Sequence, residues 1–301
     1  MKLEKTLITA FIFMLFNDVL AANYSASECN KLLNSGNTPA AIDYSKAMLS
    51  LNASDKDALL CQGRAYYAAE NFNKALLAFE SAEKNSNNEL DKIVAVFLKA
   101  NASYAMRQKD QALASYKKAL KQSQMIANKA MERLALNAIG DISNNDKDYQ
   151  LALDWYLQGF KLAANDNERG ESAEKVGGAY HALKQDDLAL EYQIKAYLMH
   201  DRVGTPDQYA QSSILLGQYY AIVKNYDNAE KTLTKIIKFA NEQGGEYYEA
   251  KASYVLAKVE LARGDTAKAA KLIENAKHIA KKTQDAALEK EIINETKDLL
   301  W

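Results

Sequence analysis

The sequence predicts an all-α fold, an α-solenoid of about seven helical hairpins followed by a C-terminal capping helix. The first observation behind this prediction is composition. The 301 residues include 12 glycines and 2 prolines, whereas average usage gives roughly 21 and 15. Because β-hairpins and sheet corners use both residue types, the composition argues against a many-stranded β protein. A hydrophobic content of 48% is enough to bury a core, which excludes wholesale disorder.

The second observation is a recurring line of three residues. An alanine is followed four residues later by an aromatic or apolar residue in most copies, and three residues after that by a small one, as in Ala75, Phe79 and Ala82. These spacings place all three side chains on one stripe of a helix. The leading alanines are separated by 34, 37, 40, 37, 40 and 40 residues; they are Ala41, Ala75, Ala112, Ala152, Ala189, Ala229 and Ala269.

The third observation is a second pattern upstream of each alanine. A glycine or alanine, in several copies directly after a leucine or valine, is often followed by a tyrosine three residues later, as in Gly63 and Tyr66 or Gly217 and Tyr220. Short polar turns such as 147–149 separate the two patterns. A small residue on one helix lets the next approach closely, and the aromatic residue fills the space beside it. One such hairpin cannot bury both of its faces, so the copies must stack.

These residues resemble the tetratricopeptide repeat family. The segment 59–82 carries the family pattern almost intact, and the resemblance extends over about 24–284. It implies a right-handed solenoid over 23–284, with 285–301 as the capping helix. The usual proline after the second helix is absent, and most of the spacings exceed 34 residues, which resembles the long-helix variants of the family.

The N-terminal 22 residues have the features of a secretory signal peptide. A basic start at Lys2 leads into the apolar run Leu7–Phe16 and then to small residues at Ala21 and Ala22. The run is about half the ~20 residues that a membrane span needs. We therefore expect cleavage after Ala21 or Ala22, no stable membrane span, and a periplasmic or secreted product. The alternative is an ordinary amphipathic first helix.

Cys29 and Cys61 are the two cysteines, and both would remain after such a cleavage. They fall in the first helices of consecutive pairs, so they can approach one another. Two alternatives stand: one disulfide, which an oxidising compartment would permit, or two small buried thiols.

No catalytic chemistry is indicated. The histidines His181, His200 and His278 lack metal-ligand spacing, and there is no glycine-rich phosphate loop. We expect neither enzymatic activity, nor a metal, nor a cofactor. With 38 basic against 39 acidic residues, the chain lacks the positive surplus that nucleic-acid binding requires.

The resemblance implies that the first helices line a concave groove that binds a peptide. Arg64 and Lys258 could take carboxylates, whereas Asp141 and Glu174 would favour a basic segment. Tyr67, Tyr247, Tyr248 and Tyr254 are candidate exposed anchors. The residues at the family's ligand-facing positions are Asn30, Arg64, Tyr67, Asn137, Asp141, Asn144, Glu174, His181, Gln218, Tyr254 and Lys258.

The sequence thus predicts a protein–protein interaction scaffold that binds a peptide or protein segment, in the bacterial cell envelope. A sensory or ligand-binding module of an extracytoplasmic signalling system is the main alternative, and an envelope assembly factor would use the same surface. The partner's identity and the oligomeric state are not indicated.

Overall fold

The computed structural model describes residues 25–297, so the predicted signal peptide and the last four residues lie outside the described part. Within 25–297 there are 15 α-helices and no strand. The helix order is the predicted one, seven consecutive pairs and then a single helix, and the all-α solenoid class is confirmed. None of the helices in this range is long and apolar enough to cross a membrane.

The chain divides into two compact units, 1–142 and 143–301, with the division inside the seventh helix. The helices up to that point are α1 (Ala26–Asn34), α2 (Thr38–Leu51), α3 (Lys56–Ala68), α4 (Phe72–Asn85), α5 (Glu89–Ala105), α6 (Lys109–Met125) and α7 (Lys129–Asn145). Consecutive helices pack on each other from α2 to α6, and α1 packs on both α2 and α3.

The second unit continues the alternation of first and second helices. It contains α8 (Tyr149–Leu162), α9 (Asp166–Ala182), α10 (Asp186–Val203), α11 (Pro206–Ile222), α12 (Tyr226–Gln243), α13 (Glu246–Arg263), α14 (Thr266–Lys282) and α15 (Ala286–Thr296). Successive first helices also contact each other here, α11 with α13 and α13 with α15.

Helix length explains the uneven repeat spacing. Where the leading alanines are 34 residues apart, the intervening α2 and α3 have 14 and 13 residues. A spacing of 37 comes with one longer helix, since α5 and α9 have 17 residues beside the 14 of α4 and α8. A spacing of 40 comes with two helices of 17 or 18 residues. Each increment is thus about one helical turn added to one helix.

The turn between the two helices of a pair has the same backbone geometry in all seven pairs. A residue with φ between 56° and 91° stands five positions before each leading alanine. The next N–H donates to a carbonyl five residues back, as from Asn71 to Tyr66 at 2.8 Å, which is a Schellman C-cap. The left-handed residues are Gly36, Glu70, Arg107, Lys147, Lys184, Lys224 and Gly264.

The predicted stripes form the core. All seven leading alanines are fully buried. Gly63 lies against the ring of Phe79, and Gly217 lies against Leu233, so the predicted role of glycine in close helix packing is confirmed at both positions. The fifth repeat carries Gln193 where five of the other six have an aromatic or apolar residue. Its buried Nε2 donates to the carbonyl and hydroxyl oxygens of Ser212 on α11, both at 3.0 Å.

Cys29 on α1 and Cys61 on α3 form a disulfide, with their Cα atoms 6.0 Å apart, a normal separation for such a bond. Both residues are buried. The bond joins the first helix of one pair to the first helix of the next, so it ties the N-terminal pair to the rest of its unit.

Candidate functional site

The candidate residues of α1 and α3 form one small polar group. The guanidinium of Arg64 donates through Nη1 to Oδ1 of Asn30 at 3.2 Å. Tyr67, one turn further along α3, is 39% exposed, and its ring meets Phe72 edge-on at 5.2 Å. Since Asn30 and Arg64 bond to each other, a ligand would meet them as a pair.

The candidates on α7 differ in exposure. Asp141 and Asn144 are half-buried. Asn137 is only 6% exposed, and its Oδ1 is a buried oxygen without a hydrogen-bond partner. The expectation that Asn137 offers groove surface is wrong, because the helix turns that side chain into the protein.

The second unit brings three candidates together. His181 near the end of α9, Gln218 on α11 and Lys258 on α13 line one cleft of about 520 Å³. They come from three successive first helices, so the cleft follows the face that these helices share. Apolar and aromatic side chains complete its lining; they are Leu215, Tyr219, Ala221, Ile222, Tyr226, Val255 and Ala262. We call this the unit 2 cleft.

Neighbouring side chains hold the His181 end of the cleft. Nδ1 of His181 lies 2.7 Å from a carboxylate oxygen of Asp186, the first residue of α10, and its ring centroid lies 5.4 Å from that of Tyr219. Burial, reinforced by the carboxylates of Glu174 and Asp186, raises the pKa of Tyr219 to about 12. Tyr219 therefore keeps its hydroxyl proton at neutral pH and can donate it in a hydrogen bond.

Glu174 does not line the unit 2 cleft. Its Oε1 lies 3.5 Å from Nδ1 of His200 on α10, whose side chain is 1% exposed. Gly170 makes room for this imidazole, because a β-carbon there would lie 2.4 Å from Nε2. The expected preference for a basic ligand at Glu174 therefore has no support in the lining of the cleft.

The two candidate residues on α13, Tyr254 and Lys258, both contact side chains of the last described helix, α15. Glu291 accepts from the Tyr254 hydroxyl at 2.5 Å, and Glu295 forms an ion pair with Lys258. Burial and this bond to Glu291 raise the pKa of Tyr254. Tyr254 is only 3% exposed, so the expectation of an exposed tyrosine anchor is wrong here. The reason is that α15 packs over it as the next first helix of the array would. Lys258 stays partly exposed.

The apolar floor of the cleft was not among the predicted residues. Leu215, Ile222 and Val255 lie on first helices, where an apolar residue fits the core as well as it fits a ligand surface. The sequence does carry a signal for one of them. Ile222 is the last residue of α11, outside the repeat pattern, and it is 39% exposed. No group of three histidine, cysteine or carboxylate side chains within 25–297 could hold a metal ion.

Several solved structures share this architecture. The apo form of RapI is 14% identical with a TM-score of 0.71, over 92% of this chain and 81% of RapI. A signal-transduction ATPase from Pyrococcus horikoshii, described as having a tetratricopeptide repeat sensor, is 20% identical with a TM-score of 0.68, over 83% of this chain and 42% of its own. A chain of the APC/C hetero-tetramer Cut9–Hcn1 is 16% identical with a TM-score of 0.64 over 90% of this chain, which spans about half of that chain, 48%.

At these sequence identities, the structural similarity shows that the fold is shared and shows nothing about function. No relative of curated function matches the sequence. The family evidence lies in the sequence itself, since residues 30–89 and 97–167 match the model of the tetratricopeptide repeat. The same hairpin continues through the remaining pairs, with the buried alanine and the left-handed turn five residues before it. Residues 30–89 and 97–167 are therefore tetratricopeptide repeats, and the remaining pairs have the same hairpin.

Proposed function

We propose that the chain binds an acidic, partly apolar peptide segment of a partner protein in the unit 2 cleft. The repeat fold supports a role as a protein–protein interaction scaffold. The observation that carries the finer proposal is the convergence of His181, Gln218 and Lys258 from three successive first helices on one cleft with an apolar floor. Binding sites combine apolar lining with a few convergent polar groups in this way.

The chemistry of the cleft selects the ligand. Leu215, Ile222 and Val255 offer apolar surface that one or two hydrophobic side chains of a segment would cover. Gln218 can both donate to and accept from a peptide backbone. Among the described residues that line the cleft, Lys258 is the lysine, and none is a carboxylate. A segment with an acidic residue beside an apolar one matches this arrangement.

The ion pair of Lys258 with Glu295 does not block such binding. The side chains of the two residues are 38% and 48% exposed, and exposed pairs contribute about 0–1 kcal/mol. A ligand carboxylate can therefore bind Lys258 beside Glu295, or displace Glu295 from it, with little loss of stability.

The test is selection of peptides from a random library on the full chain, followed by calorimetry with the selected peptide. Ile222→Lys places a charge on the apolar floor, and Lys258→Met removes the ammonium while keeping the aliphatic stem. We expect each to weaken binding about tenfold or more. Lys271→Glu, at an exposed position of α14, is the matched control and should bind normally. Equal affinities for all four proteins would refute the proposal.

A second candidate, a sensory module that binds a small molecule, is favoured by the size of the same cleft. Its volume of about 520 Å³ lies within the roughly 300–1,000 Å³ of small-molecule sites. Native mass spectrometry separates the two. A bound low-mass species lost in Ile222→Lys would support the sensor, and its absence together with peptide binding supports the scaffold.

We also propose that the protein is exported to the cell envelope or beyond. Two features support this: the signal-like N-terminal segment and the disulfide of Cys29 with Cys61, since disulfides persist in oxidising compartments. The mass of the protein from a fractionated cell, measured with and without reductant, tests both features. An intact N-terminus with two free thiols would contradict the proposal.

A further inference from the structure

A second cavity of the same unit has a different lining from the unit 2 cleft and shares no residue with it. It measures about 290 Å³ and lies among α10, α11 and α12. On one side, α12 contributes Asn228, Lys231 and Lys235, which are three and four residues apart and therefore lie on one stripe of the helix. We call it the Lys235 pocket.

The ammonium of Lys235 is held in place. Its Nζ donates to the hydroxyl of Tyr197 at 3.1 Å and lies 5.8 and 5.5 Å from the ring centroids of Tyr197 and Tyr209. Tyr209 is itself packed edge-on against Phe239, with centroids 5.0 Å apart. Bonding to the two hydroxyls raises the pKa of Lys235. Lys235 carries its positive charge at neutral pH, as lysines ordinarily do, and the contacts with the two rings favour this position of its ammonium.

The charge around the pocket is unbalanced. Lys231 and Lys235 both line it, and within 25–297 no carboxylate does. Outside the lining, a carboxylate oxygen of Asp201 lies 3.8 Å from Nζ of Lys235, and the Asp201 side chain is 48% exposed. Such a long, solvated pair offsets little of the charge.

Part of the pocket lining is an apolar wall. It consists of Ile194 and Leu198 of α10 and Leu216 of α11, and Leu198 is 50% exposed although it is a large aliphatic residue. A ligand that covers this wall would remove apolar surface from water while placing an anionic group at the two lysines.

We propose that the Lys235 pocket binds a small organic carboxylate with a compact apolar body. The carboxylate accepts from the ammonium groups of Lys235 and Lys231, and the apolar body lies on Leu198 and Leu216 beside the ring of Tyr209. This ligand class is independent of the peptide proposed for the unit 2 cleft.

Calorimetric titration of the full chain with phenylacetate tests the proposal, with phenylacetamide as the neutral analogue of the same shape. We expect phenylacetate to bind and phenylacetamide to bind at least tenfold more weakly, because the amide lacks the charge. Lys235→Met should lower the affinity for phenylacetate about tenfold, and Lys231→Met severalfold. Since Lys235 and Lys231 are exposed, neither change threatens folding.

Two controls define the site. Lys238→Met removes the same charge from α12 at a position that is 78% exposed and outside the pocket, and it should leave binding unchanged. Lys271→Met, at an exposed position of α14 that lines neither this pocket nor the unit 2 cleft, should also leave it unchanged. The proposal is overturned if phenylacetate does not bind, if the amide binds equally well, or if Lys235→Met and Lys238→Met behave alike.

Discussion

Gly63 lies so close to Phe79 that a β-carbon at position 63 would fall 2.3 Å from Cε1 of the ring. The two residues belong to the first and second helix of the same pair, α3 and α4. The glycine therefore sets how closely the two helices approach, and the ring fills the space that its missing side chain leaves.

Gly63→Ala should destabilise the protein by about 1–3 kcal/mol, the usual cost of overpacking a core. The measurement is the midpoint of urea unfolding followed by circular dichroism. Phe79→Leu added to Gly63→Ala should recover part of the loss, because a smaller side chain leaves room for the methyl group.

Gly178→Ala is the matched control. Gly178 lies within α9, and apart from its chain neighbours and the backbone of its own helix, no atom lies within 4 Å of the position that its β-carbon would take. Here alanine should stabilise by about 0.5–1 kcal/mol, the normal gain inside a helix. If both substitutions shifted the midpoint in the same direction, close packing at Gly63 would not be the cause.

The recurring left-handed turn makes a prediction of its own. Lys224 has φ of 61°, a conformation that costs a residue with a side chain roughly 1 kcal/mol. Lys224→Gly should therefore raise stability by several tenths of a kcal/mol or more. Gly264 occupies the equivalent turn with φ of 91° and an open surrounding, so Gly264→Ala should lower it by about 1 kcal/mol. Urea midpoints of both variants test this, and opposite signs are required.

Glu230 on α12 makes stability depend on pH. Its carboxylate accepts from Lys268 at 2.5 Å and from Arg263 at 2.6 Å. The bond from Lys268 and the charges of both residues lower its pKa below the usual 4.5. Because the folded pKa is the lower one, the stabilisation is complete above about pH 4.5 and is lost as the pH falls through the folded value.

Glu230→Gln should thus lower the free energy of unfolding by less than about 1 kcal/mol at pH 7, since the pair is partly exposed. At pH values below the folded pKa of Glu230, it should leave the free energy of unfolding unchanged. Urea unfolding at pH 7 and at pH 3 measures the difference from wild type. Glu242→Gln, on the same helix with Lys238 3.8 Å away, is the control for loss of one negative charge. A difference that persisted unchanged at pH 3 would rule out the ion pair as its source.

Removing the disulfide should loosen the N-terminal pair. The bonded cysteines are 32 residues apart, and closing a loop of that length stabilises by about 3–4 kcal/mol in the chain-entropy account. Contacts in a repeat array are local, so the loss should appear in α1 and α2. Hydrogen exchange of Cys29→Ser/Cys61→Ser should be faster there and unchanged in α13. Equal acceleration in α13 would contradict a local role.

Much of the fold could be predicted because each repeat is specified locally. The spacing of Ala41, Ala75 and the later alanines gave the number of pairs, and each extra turn of helix gave a longer spacing. Gln193 shows where such reasoning stops. A glutamine on a buried stripe is stable only because Ser212 of the next helix supplies an acceptor, and that position is fixed by packing between repeats.

The site was less predictable for the same reason. Position within a first helix suggested that Tyr254 faces a ligand, but α15 covers it through Glu291, 37 residues later. His181, Gln218 and Lys258 were named individually, and their convergence on one cleft follows from the stacking of three pairs. The sequence pattern does not encode the angle between pairs, so the apolar floor at Ile222 was not foreseen.

The central claim is that the unit 2 cleft holds the partner segment, and site-specific photo-crosslinking tests it most directly. A benzoylphenylalanine in place of Ile222 should crosslink to the selected peptide, and the same group in place of the exposed Lys271 of α14 should not. Unlabelled peptide should suppress the crosslink at 222. Crosslinking at 271 but not at 222 would contradict the account.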